Sequence, residues 1–330
     1  MTRQANRTRK AETGERRSRQ APAMANPHCM PHTGIMSHSP TIVPHDWPNR
    51  DKSRIIRASG VDFHVQEWGE GPTILLIHGT GASTHSFAAL APLLATEAHV
   101  IAIDLPGHAF SETDRSDLFT LPGMARAIAS LLKQLGADPV LAVGHSAGAA
   151  ILIRLALDHA INPAAIIALN GAILPLHPFS HPFVSLMAKF LAANPFVPWF
   201  FSKQADGATV DKLLKDTGSK VPEDSRACYR RLLQSRRHVA AALRMMAHWD
   251  LETLARDLPS LQTKLVLIAG EADRTIPPDS SDAVARVVPT ANVHRLPRLG
   301  HLAHEENPEL IAGLILSLIP AADNHKATPS

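Results

Sequence analysis

The sequence predicts an α/β fold: a mostly parallel sheet of about eight strands, flanked by helices, with an inserted helical segment. Three observations lead there. From Ile55 onward, short β-like runs alternate with helical stretches, the pattern of a parallel sheet covered on both faces. Several runs, such as TILLIH at 73–78, are continuously apolar, which marks strands buried on both sides. One long stretch, from Ile173 to about Leu258, interrupts the alternation with helical signals and no strong strand signal.

In chain order, 55–58 and 61–68 read as a hairpin around Gly60, and Gly69-Glu70-Gly71 turns the chain into the strand 73–78. A helix is expected over 87–95, a strand over 99–104, and a helix over 121–135 stopped by Gly136. The strand 140–143 leads into Gly144, a helix follows over 147–158, and 165–169 is the next strand. After the insertion come a strand at 264–269, a helix around 279–288, a last strand at 292–296 and a closing helix at 308–318. The domain expectation is therefore a core of residues 41–172 and 259–320, a helical lid at 173–258, a basic disordered tail at 1–40 and a flexible end at 321–330.

Composition narrows the function classes. Of 330 residues 45% are hydrophobic and 19% charged, which excludes a wholly disordered chain, and 26 Pro with 18 Gly excludes a continuous coiled coil. The net charge of +3 belongs to the tail: residues 1–40 hold seven bases and two acids, leaving 26 bases and 28 acids in the rest. The body has no basic stripe with interleaved aromatics, so no nucleic-acid partner is expected. Met24, Met30 and Met36 lie within the tail, and the reading is that translation begins at one of them. No run of about 18 apolar residues exists and no secretory signal is seen, so a cytoplasmic location without a transmembrane segment is expected. The two cysteines, Cys29 and Cys228, require no oxidising compartment.

The sharpest motif is Gly144-His145-Ser146-Ala147-Gly148, placed after a strand and opening a helix. Such a turn holds its serine in a strained conformation with the hydroxyl above the sheet, at a helix N-terminus that favours developing negative charge. A serine hydroxyl needs a base, and the base needs an orienting carboxylate. In this architecture the acid should follow the next-to-last strand and the histidine the last strand. Asp273 and His301 occupy those places, with Glu271 and His304 as the weaker competitors. For His304 a structural or surface role is expected, and for His145 a packing or hydrogen-bonding one. The oxyanion donors are assigned to the backbone amides of Ala147 and Thr80, the latter in the loop His78-Gly79-Thr80-Gly81. Asp104-Leu105-Pro106-Gly107-His108 is read as shaping the loop beneath the site.

No dinucleotide fingerprint, P-loop or H-E-x-x-H motif occurs, so neither a cofactor nor a metal is expected. Ester, thioester, amide and carbon–carbon hydrolysis all stay open. In the insertion, Phe183, Phe190, Phe196 and Trp199 are candidates for an apolar roof over the substrate or for peripheral membrane contact, against the plainer reading of core packing. Arg230, Arg231, Arg236, Arg237 and Arg244 are read as a solvated helix face, with an acidic ligand or partner as the alternative.

The elbow, the oxyanion loop and the order Ser, Asp, His resemble the α/β-hydrolase superfamily across about residues 54–320. A narrower resemblance spans body and insertion. It rests on Trp47-Pro48-Asn49-Arg50, the run from His78 to Ser86, Leu121-Pro122-Gly123-Met124-Ala125-Arg126, Gly144 to Ala150, Leu191-Ala192-Ala193-Asn194-Pro195, and Met245 to Leu251. These segments look like the magnesium-chelatase accessory proteins of bacteriochlorophyll biosynthesis. That resemblance implies a photosynthetic bacterium and a role near magnesium insertion into protoporphyrin IX. The implied partners are an apolar carbonyl substrate related to porphyrins and magnesium chelatase itself. The residues point to a serine hydrolase acting on an ester-like carbonyl. The alternatives are a non-catalytic porphyrin- or chelatase-binding accessory protein and a carboxylesterase unrelated to that pathway.

Overall fold

The computed structural model describes residues 42–175, 196–204 and 206–320. Strands β1 (Ser53–Ala58) and β2 (Val61–Trp68) pair antiparallel across Ser59-Gly60. Both turn residues have positive φ, 52° and 76°, as a two-residue hairpin with the right twist requires. Then come β3 (Thr73–Ile77), β4 (His99–Ile103), β5 (Leu141–His145), β6 (Ala165–Leu169), β7 (Lys264–Gly270) and β8 (Ala291–Leu296). The sheet order is β1-β2-β4-β3-β5-β6-β7-β8. Beyond the antiparallel β2–β4 pair, every neighbouring pair is parallel.

Helices α1 (Leu90–Leu94), α2 (Leu121–Leu135) and α3 (Ala147–Leu157) connect the early strands. Between β6 and β7 the described residues form α4 (Phe196–Gln204), α5 (Gly207–Asp216), α6 (Glu223–Gln234), α7 (Arg236–Ala247) and α8 (Glu252–Asp257), and no strand. Helices α9 (Asp279–Val287), α10 (Ala303–Glu306) and α11 (Pro308–Leu316) complete the order. None of the described helices is long and apolar enough to cross a membrane.

Alternation along the strands divides the core. Leu75, Ile77, Ile101 and Ile103 face α2 and α3, while Ile74, Leu76, Val100 and Ala102 face α1 and α11. Both sets are fully or almost fully buried, which explains why β3 reads as an unbroken apolar run. The helix expected over 87–95 is divided. A 3-10 turn over Thr84–Phe87 comes first, with the Ser83 hydroxyl accepting from the His85 amide and Asp104 accepting from the Thr84 amide at 2.7 Å. Those side chains cap the start of the turn, and α1 begins only at Leu90.

Five of the parallel strands deliver the residues that follow them to one edge of the sheet. Thr80 comes after β3, Ser146 after β5, Asn170 after β6, Asp273 after β7 and His301 after β8. This is the edge where open α/β sheets place ligands.

The approach of α3 to the sheet depends on Gly148. A Cβ there would lie 2.3 Å from the carbonyl oxygen of Ile77 and 2.8 Å from that of His78. Gly148→Ala replaces a poor helix former with the best one, yet it is expected to lose about 2–3 kcal/mol through overpacking. Urea denaturation measures this, and a stabilised variant would contradict the close approach.

Candidate active site

The site is built around Ser146. Its φ of 50° and ψ of −117° lie outside the regions favoured by residues with a side chain. Three backbone bonds hold it there: Ser146 N–H donates to Leu169 O at 3.0 Å, and Ala149 and Ala172 N–H donate to Ser146 O at 3.1 and 3.0 Å. Ser146 is the N-cap of α3, so the Ala147 amide is an unpaired helix-start donor beside the hydroxyl. Gly79 passes so close that a Cβ there would sit 2.9 Å from the Ser146 Cβ. This brings the neighbouring Thr80 to the same place, and the Thr80 hydroxyl rests 3.5 Å from the sulfur of Met245 on α7.

The structure brings Asp273 and His301 together. His301 Nδ1 and Asp273 Oδ2 are 2.8 Å apart, and both residues are buried. The carboxylate is an acceptor, so Nδ1 carries the proton and Nε2 is left as the basic nitrogen of a neutral ring. Asp273 is fixed on its other sides by the Thr275 and Ile276 amides at 2.7 and 2.9 Å, and by the Asn170 side-chain amide at 2.8 Å. Four donors fill its four acceptor sites. Glu271 is exposed and makes no such contacts. His301 lies beside the elbow: its ring is 4.7 Å from that of His145, and its carbonyl is 3.0 Å from His145 Nε2. Ser146 Oγ itself makes no hydrogen bond among the described residues, an arrangement common before substrate closes such a site.

The segment carrying His301 is tied to the residues between β6 and β7. His301 N–H donates to Thr217 O at 3.3 Å, Leu302 N–H to Ser219 Oγ at 2.8 Å, and Lys220 N–H to Glu306 Oε2 at 3.1 Å. Of the roof candidates, Phe183 and Phe190 lie outside the described residues. Phe196 and Trp199 are on α4, 74% and 43% exposed. Four of the five arginines have local partners: Arg230 meets Glu223, Arg231 meets Asp46, Arg237 meets Glu112, and Arg244 stands 5.8 Å from the centre of the Phe119 ring.

Sequence reasoning missed several residues. Asn170 has φ 48° at the end of β6 and bonds both Asp273 and the Gly300 carbonyl, with no motif to announce it. Asp104 is named from the sequence as shaping the loop beneath the site, but its partners are not: it accepts from His64 Nδ1 at 2.7 Å and from the Thr84 and Phe110 amides at 2.7 and 3.2 Å. Burial would raise its carboxyl, but the charge and hydrogen bond of His64 outweigh this and hold it at about 2. His304 is fully buried against His145 and so does not lie at the surface. Among the described residues, no group of three or more His, Cys, Asp or Glu is placed to hold a metal ion.

Desolvation gives the site a pH signature. Burial pushes His85 and His304 down to about 3 and His238 to about 4, and lowers His78, His108 and His145 as well. Their neutral forms are the folded ones, so their contribution is complete above the unfolded value near 6.5 and fades as pH falls. Burial lifts Glu305 to about 7, which favours the folded state at low pH and is lost as pH rises through 7. The histidines outnumber it. Stability should therefore fall between pH 6.5 and 5.5 by several kcal/mol, on the order of 1 kcal/mol per histidine less a similar amount returned by Glu305. Urea midpoints measured across that window check this, and a midpoint rising toward pH 5.5 would refute it.

Comparison with known proteins agrees with this architecture. Residues 72–308 match the family model described as the alpha/beta hydrolase fold. The magnesium-chelatase 30 kDa subunit of Rhodobacter capsulatus is 36% identical over 84% of this chain and 98% of its own length. An uncharacterised hydrolase of Bacillus subtilis is 26% identical over 78% of this chain and 92% of its own. An esterase structure from Exiguobacterium antarcticum superposes with a TM-score of 0.67 at 17% identity, covering 81% of this chain and 99% of that one. The chain belongs to the α/β-hydrolase fold family and shares its kinship with the chelatase subunit over nearly that relative's whole length.

Proposed function

We propose that the protein is a serine hydrolase acting on an ester-like carbonyl, with Ser146 as nucleophile, His301 as general base and Asp273 as its orienting acid. The observation that carries this reading is the buried 2.8 Å bond between His301 Nδ1 and Asp273, made beside a serine held in a strained elbow. As Ser146 Oγ attacks the carbonyl, His301 Nε2 takes its proton, and Asp273 stabilises the imidazolium that forms. The Thr80 and Ala147 amides would hold the oxyanion. The imidazolium then protonates the leaving group, and a water deprotonated by His301 releases the acyl group from Ser146. Neither step requires a metal or an organic cofactor.

The likeness to a protein named as a magnesium-chelatase subunit supports a place near magnesium chelation in bacteriochlorophyll biosynthesis, with a porphyrin-related substrate and the chelatase as partners. The same likeness favours a second reading. Metal insertion involves no acyl transfer, so the fold would serve there as a non-catalytic porphyrin- or chelatase-binding accessory.

A fluorophosphonate probe should label the wild-type protein and fail to label Ser146→Ala, read by intact mass; an unlabelled but folded wild type defeats the enzyme reading. In a strain lacking the gene, full rescue of pigment synthesis by Ser146→Ala would favour the accessory reading instead. Asn170→Ala removes the side-chain amide that holds Asp273, and should lower kcat/KM on a p-nitrophenyl ester about tenfold, equivalent to about 1.4 kcal/mol of transition-state stabilisation. An unchanged kcat/KM would show that Asn170 does not orient the acid.

A further inference from the structure

Behind the candidate site lies a buried carboxyl that no step of this chemistry uses. The Glu305 side chain, in α10, is 4% exposed and receives three hydroxyl bonds. They come from Ser86 in the 3-10 turn that follows the Thr80 loop, and from Ser225 and Tyr229 on α6, the last at 2.7 Å. The donors lie 219, 80 and 76 residues away along the chain. One side chain thus joins the segment carrying His301, the turn beside the oxyanion loop and a helix from between β6 and β7.

The connection continues toward the site. The Ser86 hydroxyl is also 2.8 Å from His304 Nε2. The His304 ring packs 4.6 Å from that of His145, and His145 Nε2 meets the His301 carbonyl at 3.0 Å. Next to Glu305, Glu306 accepts from the Gly300 amide at 2.7 Å, which fixes the residue before His301. A buried carboxyl is a poor way to fill space, because it must be desolvated and then satisfied completely. Here it is satisfied by donors from two other parts of the chain. That outcome fits a geometric role better than a packing one.

We propose that Glu305 is a positioning residue for His301: its hydroxyl bonds lock α10 against the Ser86 turn and α6, and so set where the His301 ring stands relative to Ser146. The proposal rests on the hydrolase reading of Ser146 and His301. A cavity of about 580 Å³, lined in part by Ser86, Ser225, Cys228 and Glu305, reaches this lock from the side of Asp46 and Arg231. It shares no lining residue with Ser146, Asp273 or His301.

The test uses the full chain with three variants. Glu305→Leu removes the acceptors and keeps most of the volume, whereas Glu305→Gln keeps an acceptor oxygen for Ser86 and Tyr229. Tyr229→Phe combined with Ser225→Ala breaks only the α6 side and serves if Glu305→Leu does not fold. Two readouts are taken: kcat and KM on a p-nitrophenyl ester, and amide hydrogen exchange of residues 299–306 against β3 and β5. Glu305→Leu and the Tyr229→Phe, Ser225→Ala pair should each lower kcat about tenfold with KM within about twofold, as expected for a misplaced base. Exchange at 299–306 should quicken about tenfold with β3 and β5 unchanged, and Glu305→Gln should recover most of both. Exchange rising equally in all segments, or kcat unchanged with 299–306 still protected, overturns the proposal. If the wild type neither turns over the ester nor takes the fluorophosphonate, the hydrolase reading has failed, and the exchange data alone then decide whether Glu305 fixes this segment.

Discussion

The contact on which the site depends is the bond between the imidazole of His301 and the carboxylate of Asp273. Two features give it force. Both groups are withdrawn from water, so a missing partner would leave a desolvated charge or an unsatisfied ring nitrogen. The carboxylate also has no freedom to turn, since two amides of its own loop hold one oxygen and Asn170 shares the other with His301. The direction of that bond decides the tautomer of the ring, and the tautomer decides which nitrogen is available to act as a base. The strained serine beside it makes no side-chain hydrogen bond among the described residues, so the ring and the elbow are not joined in advance.

The residues between β6 and β7 do more than cover the sheet edge. Thr217, Ser219 and Lys220 bond the His301 segment directly, and Met245 touches Thr80. A chain entering this region at the end of β6 therefore supports both the His301 segment and the Thr80 loop before returning to β7. The arginines of the same region, which invite a reading as an anion-binding face, largely meet local carboxylates or an aromatic ring. Several imidazoles packed beneath the loops are kept neutral by burial, so this support is sensitive to acid in a way that the aliphatic core is not.

What was legible from the residues follows from range. The eight strands announce themselves because an unbroken run such as TILLI, or a glycine between two alternating segments, is a local pattern with a fixed period. The G-x-S-x-G elbow is legible for the same reason: the strand, the turn and the helix are contiguous. Asp273 and His301 could be nominated because each follows a recognisable strand, although their meeting is a matter of sheet order. Asn170 and Glu305 had no such signal, and Asp104 was legible only as part of its loop, without its partners. Each is an ordinary polar residue at an ordinary place, and its partners are tens to hundreds of residues distant. The division of the expected helix at 87–95 belongs to the same class, because a carboxylate twenty residues away caps the separate turn that precedes it.

Period and contiguity thus established the class of fold and marked the G-x-S-x-G elbow and the candidates for acid and base, since backbone geometry repeats over a few residues and writes itself into apolar spacing. Packing alone determined that Asn170 grips the acid, that three hydroxyls converge on Glu305, and that the arginines close on their neighbours. Those contacts arise only when strands remote in the chain become adjacent in the sheet, and burial then makes each unpaired polar atom costly enough to demand a particular partner.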